Sequence, residues 1–586
     1  MAGIRVRAAQ VDRRVGLLFA IFIALLAIAL ARALYLGTVK ASALRLAAVQ
    51  QQIDVQPVPA QRGMISDSSG TPLALSQNTE DLIADPYLII PAGDAQPIAD
   101  RVAPALHLPR RQVLDALTKS GTGYSPIAKQ LSPRLADSIT QLTIAGKPIS
   151  GLYTEPDTKE VYPLGDTLAQ VLGAVSSSTG RGITGLQESY DKVLAGTAGE
   201  RKIVKDGKGS TIDVEQVKEM EPGASMRLTV SAPLQNEMEQ VLAGVGQEYQ
   251  PKLATAIALN PRTGAILGLA NYPAVNANNP FEGTSAEVNN AIQDHALSFS
   301  YEPGSTFKPI TVAGALQDGL ITPSTQFQIP SALHPYTSTI TDAEQHGDET
   351  LTTAGILARS SNIGADLIGQ RLGADRFNAW VHRFGLGKLT GVHLPGEQAG
   401  TILPPSQYSG TSMYTLPFGQ GESVTPIQMA TAYGAIADGG ILRTPHIVQS
   451  IDGKPVAEPH GHRVISTTTA AELRNMLRGV LSDTGTDSGG AIPGYDLAGK
   501  TGTAQIAVDG KYSKTEFVAS FMGMVPASDP KLVVAIVIDD PHGNIYGGSV
   551  AGPAFQKIVG WAVPYFGIDP NPDHVTGQDP VGVPLQ

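Results

Sequence analysis

The 586-residue sequence contains no cysteine. That absence excludes disulfide bonds, thiolate nucleophiles and zinc–thiolate centres, and it suits an oxidising compartment outside the cytoplasm. Its eleven histidines show no metal-ligand spacing such as HxxxH. Its formal net charge is -11, with no basic cluster that could follow a phosphate backbone, so nucleic-acid binding has no support.

Long apolar runs are also scarce, and only one could cross a membrane. Residues 15–39 are apolar apart from Arg32, which suits one transmembrane helix. Four arginines precede this run against a single aspartate, so the positive-inside rule places the N-terminus in the cytoplasm and the chain after about residue 37 outside. The alternative is a cleaved signal peptide, since residues 29–31 (ALA) resemble a cleavage site, but the run exceeds the usual ~7–15 residues.

The length allows three or four domains at roughly 100–200 residues each. We predict an α+β protein with five segments: residues 1–14 in the cytoplasm, a membrane anchor at 15–39, a first folded module at 40–227, a second folded domain at 228–567, and a disordered, Pro- and Asp-rich tail at 568–586.

The predicted elements follow hydrophobic periodicity and turn signals. In the first module we expect helices at residues 41–52 and 132–142 and a β-rich run at 82–90. In the second domain we expect helices at 234–245, 310–320 and 553–565, and strands at 254–259, 265–270, 517–524 and 532–538. Because strands stand at both ends of this domain, we predict one sheet closed by its termini.

Three short motifs, SxxK, SxN and KTG, occur in that order at Ser305-Lys308, Ser360-Asn362 and Lys500-Thr501-Gly502. Such an ordered set is typical of penicillin-recognising serine enzymes. Each motif alone is weak, because SxxK also occurs at residues 189–192 and 528–531, and SxN at 76–78. The copy at 528 follows the KTG motif and is out of order, whereas Ser305 lies in EPGSTFKP, a turn before an apolar helical run.

The first motif suits nucleophilic catalysis. Ser305 in the first turn of a helix would present an unpaired backbone N–H to an oxyanion. Lys308 lies on the same helix face, and a buried, neutral lysine can take the proton of a serine hydroxyl. A serine cap followed by a surface lysine is the alternative for an isolated SxxK.

The other two motifs supply proton transfer and binding groups. Ser360 could pass a proton between Lys308 and a leaving amine, and Asn362 could hold a substrate amide. The sequence around KTG predicts an edge strand, where Gly502 allows a bound peptide to approach the backbone. Lys500 would supply positive charge, Thr501 and Thr503 hydroxyls for a carboxylate, and the Thr503 N–H a second oxyanion donor. Exposed turns are the alternative for either motif in isolation.

With these motifs the chain closely resembles the class B penicillin-binding proteins, the monofunctional D,D-transpeptidases that cross-link peptidoglycan. Residues 62–67 (RGMISD) and 185–191 (GLQESYD) are similar to the family segments RGxIxD and GLExxYD, with Gln187 in place of the usual Glu. Residues 384–397 and 419–426 (GQGESVTP) look most like the division-specific, FtsI-type branch.

The resemblance implies an elongated, dimerisation-type pedestal module and a transpeptidase domain whose antiparallel sheet is covered by helices, with an all-helical subdomain. It implies a donor stem peptide ending in D-Ala-D-Ala, acylation of Ser305 with loss of D-Ala, an acceptor amine on a second stem, and covalent acylation by β-lactams. No cofactor or metal is implied. The FtsI-type branch further implies a role in division with a SEDS-type glycan polymerase and other division proteins as partners.

Four alternatives stay open at this point. A D,D-carboxypeptidase or a β-lactamase would use the same chemistry but release the acyl group to water; the large first module and the anchor argue against both. A β-lactam sensor would need a cytoplasmic output domain, and only about fourteen residues precede the anchor. A non-catalytic divisome scaffold would be expected to have lost a motif residue, and all are present.

Overall fold

The computed structural model describes residues 2–43, 53–205, 211–336, 338–508 and 510–571. The chain divides into two compact units. The first contains residues 1–61, 78–159 and 197–222, and the second contains residues 62–77, 160–196 and 223–586.

A single long helix, Ala2–Thr38, begins the chain. Its segment Asp12–Thr38 is long and apolar enough to cross a membrane, with a mean hydropathy of 2.7, and none of it is buried in the protein. The prediction of one helix of membrane-spanning length is confirmed. The helix predicted at 41–52 and the tail predicted at 568–586 lie mostly outside the described residues.

The first unit combines small antiparallel sheets with short helices. Its strands and helices are Ile53–Val58, Ser125–Leu131, Thr143–Ile144, Lys147–Pro148, Leu152–Val161, Gly199–Lys205 and Thr211–Lys218, with the second half of Pro72–Ala84, and Pro86–Ala92, Ala95–Leu106, Arg110–Leu117 and Pro133–Thr140. Apolar side chains from both kinds of element, such as Leu82, Val102 and Val113, share one buried core.

The second unit is built on a five-stranded antiparallel sheet. Its strand order is Ile266–Tyr272, Leu253–Leu259, Leu532–Asp539, Lys511–Val525 and Ala498–Val508. Two strands come from the start of the unit and three from its end, as the sequence predicts. The central strands are buried along their whole length, so both faces of the sheet are covered.

Each face of this sheet packs against its own set of helices. Ala254, Ala256 and Ala258 point to a core shared with helices Ala232–Tyr249 and Gly547–Tyr565. Ile257 and Leu259 point to the opposite core, as the two-residue period of a strand requires. That core includes residues of Lys308–Gln317, Thr353–Ala358, Asn362–Leu372, Ala374–Arg383, Pro426–Ala437 and Thr467–Arg478.

Short elements complete the second unit. They are strands Ile65–Ser66, Met226–Leu228, Gln326–Ile329, Glu349–Thr352, Ile441–Leu442, Val448–Ile451, Lys454–Pro455 and His462–Arg463, helices Ala169–Leu172, Gly185–Ser189, Asp191–Leu194, Ser285–Ala291 and His295–Ser298, and 3₁₀ turns Gly304–Phe307, Pro405–Gln407, Ser412–Tyr414, Leu416–Phe418, Gly479–Leu481 and Ser488–Gly490.

Two predicted elements are wrong. The β-rich run predicted at 82–90 ends as a strand at Ala84, because the Asp85 side chain accepts the Tyr87 N–H and starts a helix with Pro86 in its first turn. The last helix begins at Gly547 and not at Pro553, which lies inside it. Its start is fixed by a tertiary contact, since the Gly547 N–H donates to Thr503 Oγ1 at 2.9 Å.

Gln187, the departure from the usual Glu, keeps the contact between the two upstream motifs. The Arg62 guanidinium donates to Gln187 Oε1 at 3.0 and 2.8 Å and to Asp191 Oδ1 at 2.8 Å. Gln187 Nε2 in turn donates to Glu160 Oε1 at 3.2 Å. Burial raises the pKa of Glu160, so the amide serves a carboxyl that a second carboxylate would repel.

Candidate active site

Ser305 lies in the turn that leads into a buried helix. Gly304–Phe307 is a 3₁₀ turn, and the α-helix Lys308–Gln317 follows directly. Gly304 has a φ of +53°, which glycine adopts without the steric cost of a Cβ. Ser305 is half-buried, whereas Lys308 is fully buried. The turn thus places a partly accessible hydroxyl three residues before a buried amine.

The Lys308 ammonium is held by the SxN motif. Its Nζ donates to the Ser360 carbonyl at 2.5 Å, to Ser360 Oγ at 3.2 Å and to Asn362 Oδ1 at 2.8 Å. Three acceptors match the three protons of an ammonium group. Within the described residues, no hydrogen bond joins Lys308 to Ser305 Oγ.

Ser360 reaches Lys308 through a strained backbone. Its φ is +59°, a left-handed conformation that costs a non-glycine residue about 1–3 kcal/mol. The residue stands between helices Thr353–Ala358 and Asn362–Leu372, so the polar break predicted there is confirmed, although Asn362 already belongs to the second helix. Strain of this kind persists where the surroundings fix it, here the lysine that accepts no other geometry for both Ser360 oxygens.

Asp342 holds the start of that second helix, and the sequence gives no motif that would have identified it. Its Oδ1 accepts the N–H groups of Asn362 at 2.6 Å and Ile363 at 2.9 Å. Asn362 Nδ2 donates to the Thr341 carbonyl at 2.9 Å. The Asn362 side chain therefore has both ends occupied, and its orientation toward Lys308 is fixed.

The KTG motif occupies the edge strand predicted for it. Ala498–Val508 is the last strand of the five-stranded sheet, and Lys500 on it is fully buried. Lys500 Nζ donates to Ser360 Oγ at 2.9 Å, to the Thr501 carbonyl at 3.0 Å and to Thr501 Oγ1 at 3.3 Å. Ser360 Oγ is therefore the point at which the two buried lysines meet.

Gly502 lets the edge strand contact the nucleophile turn. A Cβ at this position would lie 2.3 Å from Ser520 Oγ and 2.9 Å from Thr306 Cγ2. Thr306 follows Ser305 directly, so Gly502 is required for the close approach of strand and turn. Thr503 is half-buried, and its Oγ1 accepts the Gly547 N–H, which leaves the hydroxyl proton free to donate.

Burial controls the protonation of both lysines. Desolvation lowers the pKa of Lys308 to about 7, while the nearby Asp342 carboxylate acts in the opposite direction. Desolvation lowers the pKa of Lys500 well below its usual value, and the charge of Lys308 lowers it further. A lysine that is neutral near pH 7 has a lone pair with which to accept a proton.

The other motif copies lack this environment. Ser189 is exposed at the end of helix Gly185–Ser189. In the late copy, Lys531 pairs with Asp529 Oδ2 at 2.7 Å, and the Ser528 N–H donates to Asp496 Oδ2 at 3.0 Å. In the early SxN copy, Ser76 Oγ accepts the Arg62 N–H at 3.2 Å. The structure thus brings the ordered motifs together and gives the copies unrelated contacts.

Comparison with known proteins agrees with this arrangement. Residues 254–560 match the penicillin binding protein transpeptidase domain, and residues 57–228 match the penicillin-binding protein dimerisation domain. The chain is 32% identical over 555 residues to the probable peptidoglycan D,D-transpeptidase PenA of Neisseria gonorrhoeae, covering 93% of this chain and 92% of PenA. It is 31% identical over 565 residues to the peptidoglycan D,D-transpeptidase FtsI of Escherichia coli K12, covering 95% and 92%.

A solved structure supports the same relationship. The crystal structure of penicillin binding protein 3 from Mycobacterium tuberculosis, complexed with ampicillin, is similar with a TM-score of 0.68 at 27% identity. The similarity covers 89% of this chain and the whole of that one.

Proposed function

The chain belongs to the class B penicillin-binding proteins, and we propose that it is a peptidoglycan D,D-transpeptidase acting through an acyl-enzyme on Ser305. The observation that carries this proposal is the pair of fully buried lysines, Lys308 and Lys500, that share the Ser360 hydroxyl at 3.2 and 2.9 Å. Two buried cations on one hydroxyl are costly to the fold, and proton transfer gives them a use.

In the first half-reaction, neutral Lys308 takes the Ser305 proton, and Ser305 Oγ attacks the carbonyl between the two D-Ala residues of a donor stem peptide. The Ser305 and Thr503 N–H groups would stabilise the oxyanion. The C–N bond then breaks, and Ser360 relays a proton from Lys308 or Lys500 to the departing D-Ala amine. Lys308, Ser360 and Lys500 support this path because they form one continuous hydrogen-bonded chain.

In the second half-reaction, the amine of another stem peptide attacks the Ser305 ester, loses its proton to the same chain, and releases Ser305. Lys500 with the Thr501 and Thr503 hydroxyls would bind the terminal carboxylate of the donor, and Asn362 would orient its amide. A β-lactam carbonyl mimics the D-Ala-D-Ala amide and would acylate Ser305 in the same way.

Labelling with a fluorescent penicillin tests this assignment. The purified chain should label covalently, and Ser305→Ala should remove the label while the unfolding temperature stays unchanged. Ser189→Ala and Ser528→Ala are matched controls, since each removes the serine of a background SxxK, and both should label normally. Equal labelling of Ser305→Ala and the unaltered chain would refute the assignment.

The fate of the adduct separates transfer from hydrolysis. A transpeptidase must keep water from the ester until an amine arrives, so the penicilloyl adduct should persist. Rapid turnover of nitrocefin would instead indicate a β-lactamase, and release of D-Ala without transfer to an amine a D,D-carboxypeptidase.

We also propose a single-pass topology with the N-terminus in the cytoplasm and the catalytic domain, residues 228–567, outside on a non-catalytic pedestal at 40–227. Four arginines before the helix support this orientation. The resemblance to division transpeptidases favours action at the septum beside a SEDS-type glycan polymerase and other division proteins.

The anchor is the part that could contact such a polymerase inside the membrane. Ala20, Ala24, Ala27 and Ala31 lie near one helix face, which permits close approach of another membrane helix. Replacing residues 15–39 with an unrelated transmembrane helix should reduce co-purification with the polymerase and septal wall synthesis. Unchanged association and synthesis would show that the helix is only a tether.

A further inference from the structure

A hydroxyl from outside the three motifs touches the KTG strand. Thr486 Oγ1 lies 2.8 Å from Thr501 Oγ1. Thr486 is exposed, whereas Thr501 is buried, so the contact forms where the buried motif meets the surface. Thr486 belongs to the loop between the 3₁₀ turns Gly479–Leu481 and Ser488–Gly490.

This loop is fixed on both sides of Thr486. The Asp487 N–H donates to the Val480 carbonyl at 3.0 Å, and the Gly485 N–H donates to the Ser482 carbonyl at 2.9 Å. A Cβ on Gly548 would lie 2.5 Å from the Thr486 carbonyl oxygen, so the loop backbone packs directly on the start of the last helix. The two threonine hydroxyls are therefore held together by the fold.

The direction of the hydrogen bonds follows from counting donors. A hydroxyl donates one proton and accepts at two lone pairs. Lys500 Nζ donates to Thr501 Oγ1 at 3.3 Å and occupies one lone pair. If Thr486 donates to the other, the Thr501 proton has no acceptor left between these two partners and points to a third group.

We propose that Thr486 is a positioning residue for the carboxylate of the donor peptide, since its hydroxyl donates to Thr501 Oγ1 and so directs the Thr501 proton to that carboxylate. The inference rests on the proposed function of Thr501 and Ser305. Thr486 acts through Thr501 and takes no part in the transfer of protons to or from Ser305.

The test compares a fluorescent penicillin with its carboxylate methyl ester as acylating agents of the full-length chain. Thr486→Val should lower the acylation rate constant for the carboxylate about 5- to 20-fold, the effect expected from one hydrogen bond to a charged group. It should leave the slower reaction of the ester nearly unchanged. Thr486→Ser should restore most of the rate, and Thr486→Ala should behave like Thr486→Val.

Two controls separate positioning from a general effect on the loop. Thr484→Val removes a neighbouring exposed hydroxyl that contacts only Ser482 Oγ, at 3.3 Å, among its described partners, and should change neither rate. In Thr501→Val, adding Thr486→Val should have no further effect, because the two residues act as one unit.

Equal losses with carboxylate and ester, or additive losses in the double variant, would overturn the proposal. A failure of the proposed function would differ, because Ser305→Ala would then still label whatever the result at Thr486.

Discussion

The pH dependence of acylation follows from the burial of Lys308. A lysine acts as a base only when it is unprotonated, and desolvation lowers the pKa of Lys308 from 10.5 to about 7. Acylation should therefore fall as the pH falls through about 7 and reach a plateau above it. Since Lys308 and Lys500 share Ser360, the midpoint is an apparent value that belongs to the pair.

The size of the effect separates a buried base from an ordinary lysine. With a pKa of about 7 the neutral fraction rises from about 9% at pH 6 to about 91% at pH 8, a gain of about tenfold. A lysine that kept its usual pKa would gain about a hundredfold over the same range and show no plateau below about pH 10. Second-order rate constants for a fluorescent penicillin, measured from pH 5.5 to 9.5, distinguish the two curves.

Lys308→Arg provides the matched control. Arginine keeps the positive charge and a similar length, but it does not become neutral in a protein. We expect acylation to fall by about 10³-fold or more, in the range that removal of an activating base costs a serine enzyme. A rate that climbs tenfold per pH unit up to pH 9.5, or a Lys308→Arg variant that acylates normally, would refute Lys308 as the base.

Three further predictions use the same protein. Asp342→Asn should move the midpoint of the acylation profile to lower pH, because the carboxylate raises the pKa of Lys308; an upward shift would contradict this. Lys500→Ala should slow acylation less than Lys308→Ala, and the reverse order would assign the base to Lys500. Gln187→Glu should lower the unfolding temperature increasingly between pH 5 and 8, because the pKa of buried Glu160 is already raised and a second carboxylate costs more as both ionise; a loss independent of pH would exclude that cause.

The order of the motifs was enough to choose the central residues from the sequence. Ser305, Lys308, Ser360, Asn362 and Lys500 differ from the background copies by their order along the chain and their flanking sequence. The structure joins the last four of these by direct hydrogen bonds. Their individual roles in the reaction stay predictions for the experiments above.

The supporting residues could not be found in the same way. Asp342 and Thr486 carry no motif, and they meet Asn362 and Thr501 only after the chain has folded. Sequence patterns report local periodicity and local turns, so a contact between two loops leaves no periodic signal.

The errors in secondary structure have related causes. Apolar residues continue past Ala84, and only the Asp85 cap and Pro86 turn that run into a helix. The last helix starts at Gly547 because Thr503 supplies an acceptor from a distant strand. The strands of the central sheet were predictable because they are long, apolar and bounded by clear turns.

The most direct test of the account is to locate the acyl group itself. The full-length chain is incubated with penicillin, digested, and analysed by mass spectrometry for a peptide that carries one penicilloyl group. We predict a single adduct on the hydroxyl of Ser305, persistent over the time of the digest and absent after Lys308→Arg. An adduct on Ser360, Ser189 or Ser528, or none at all, would contradict the account.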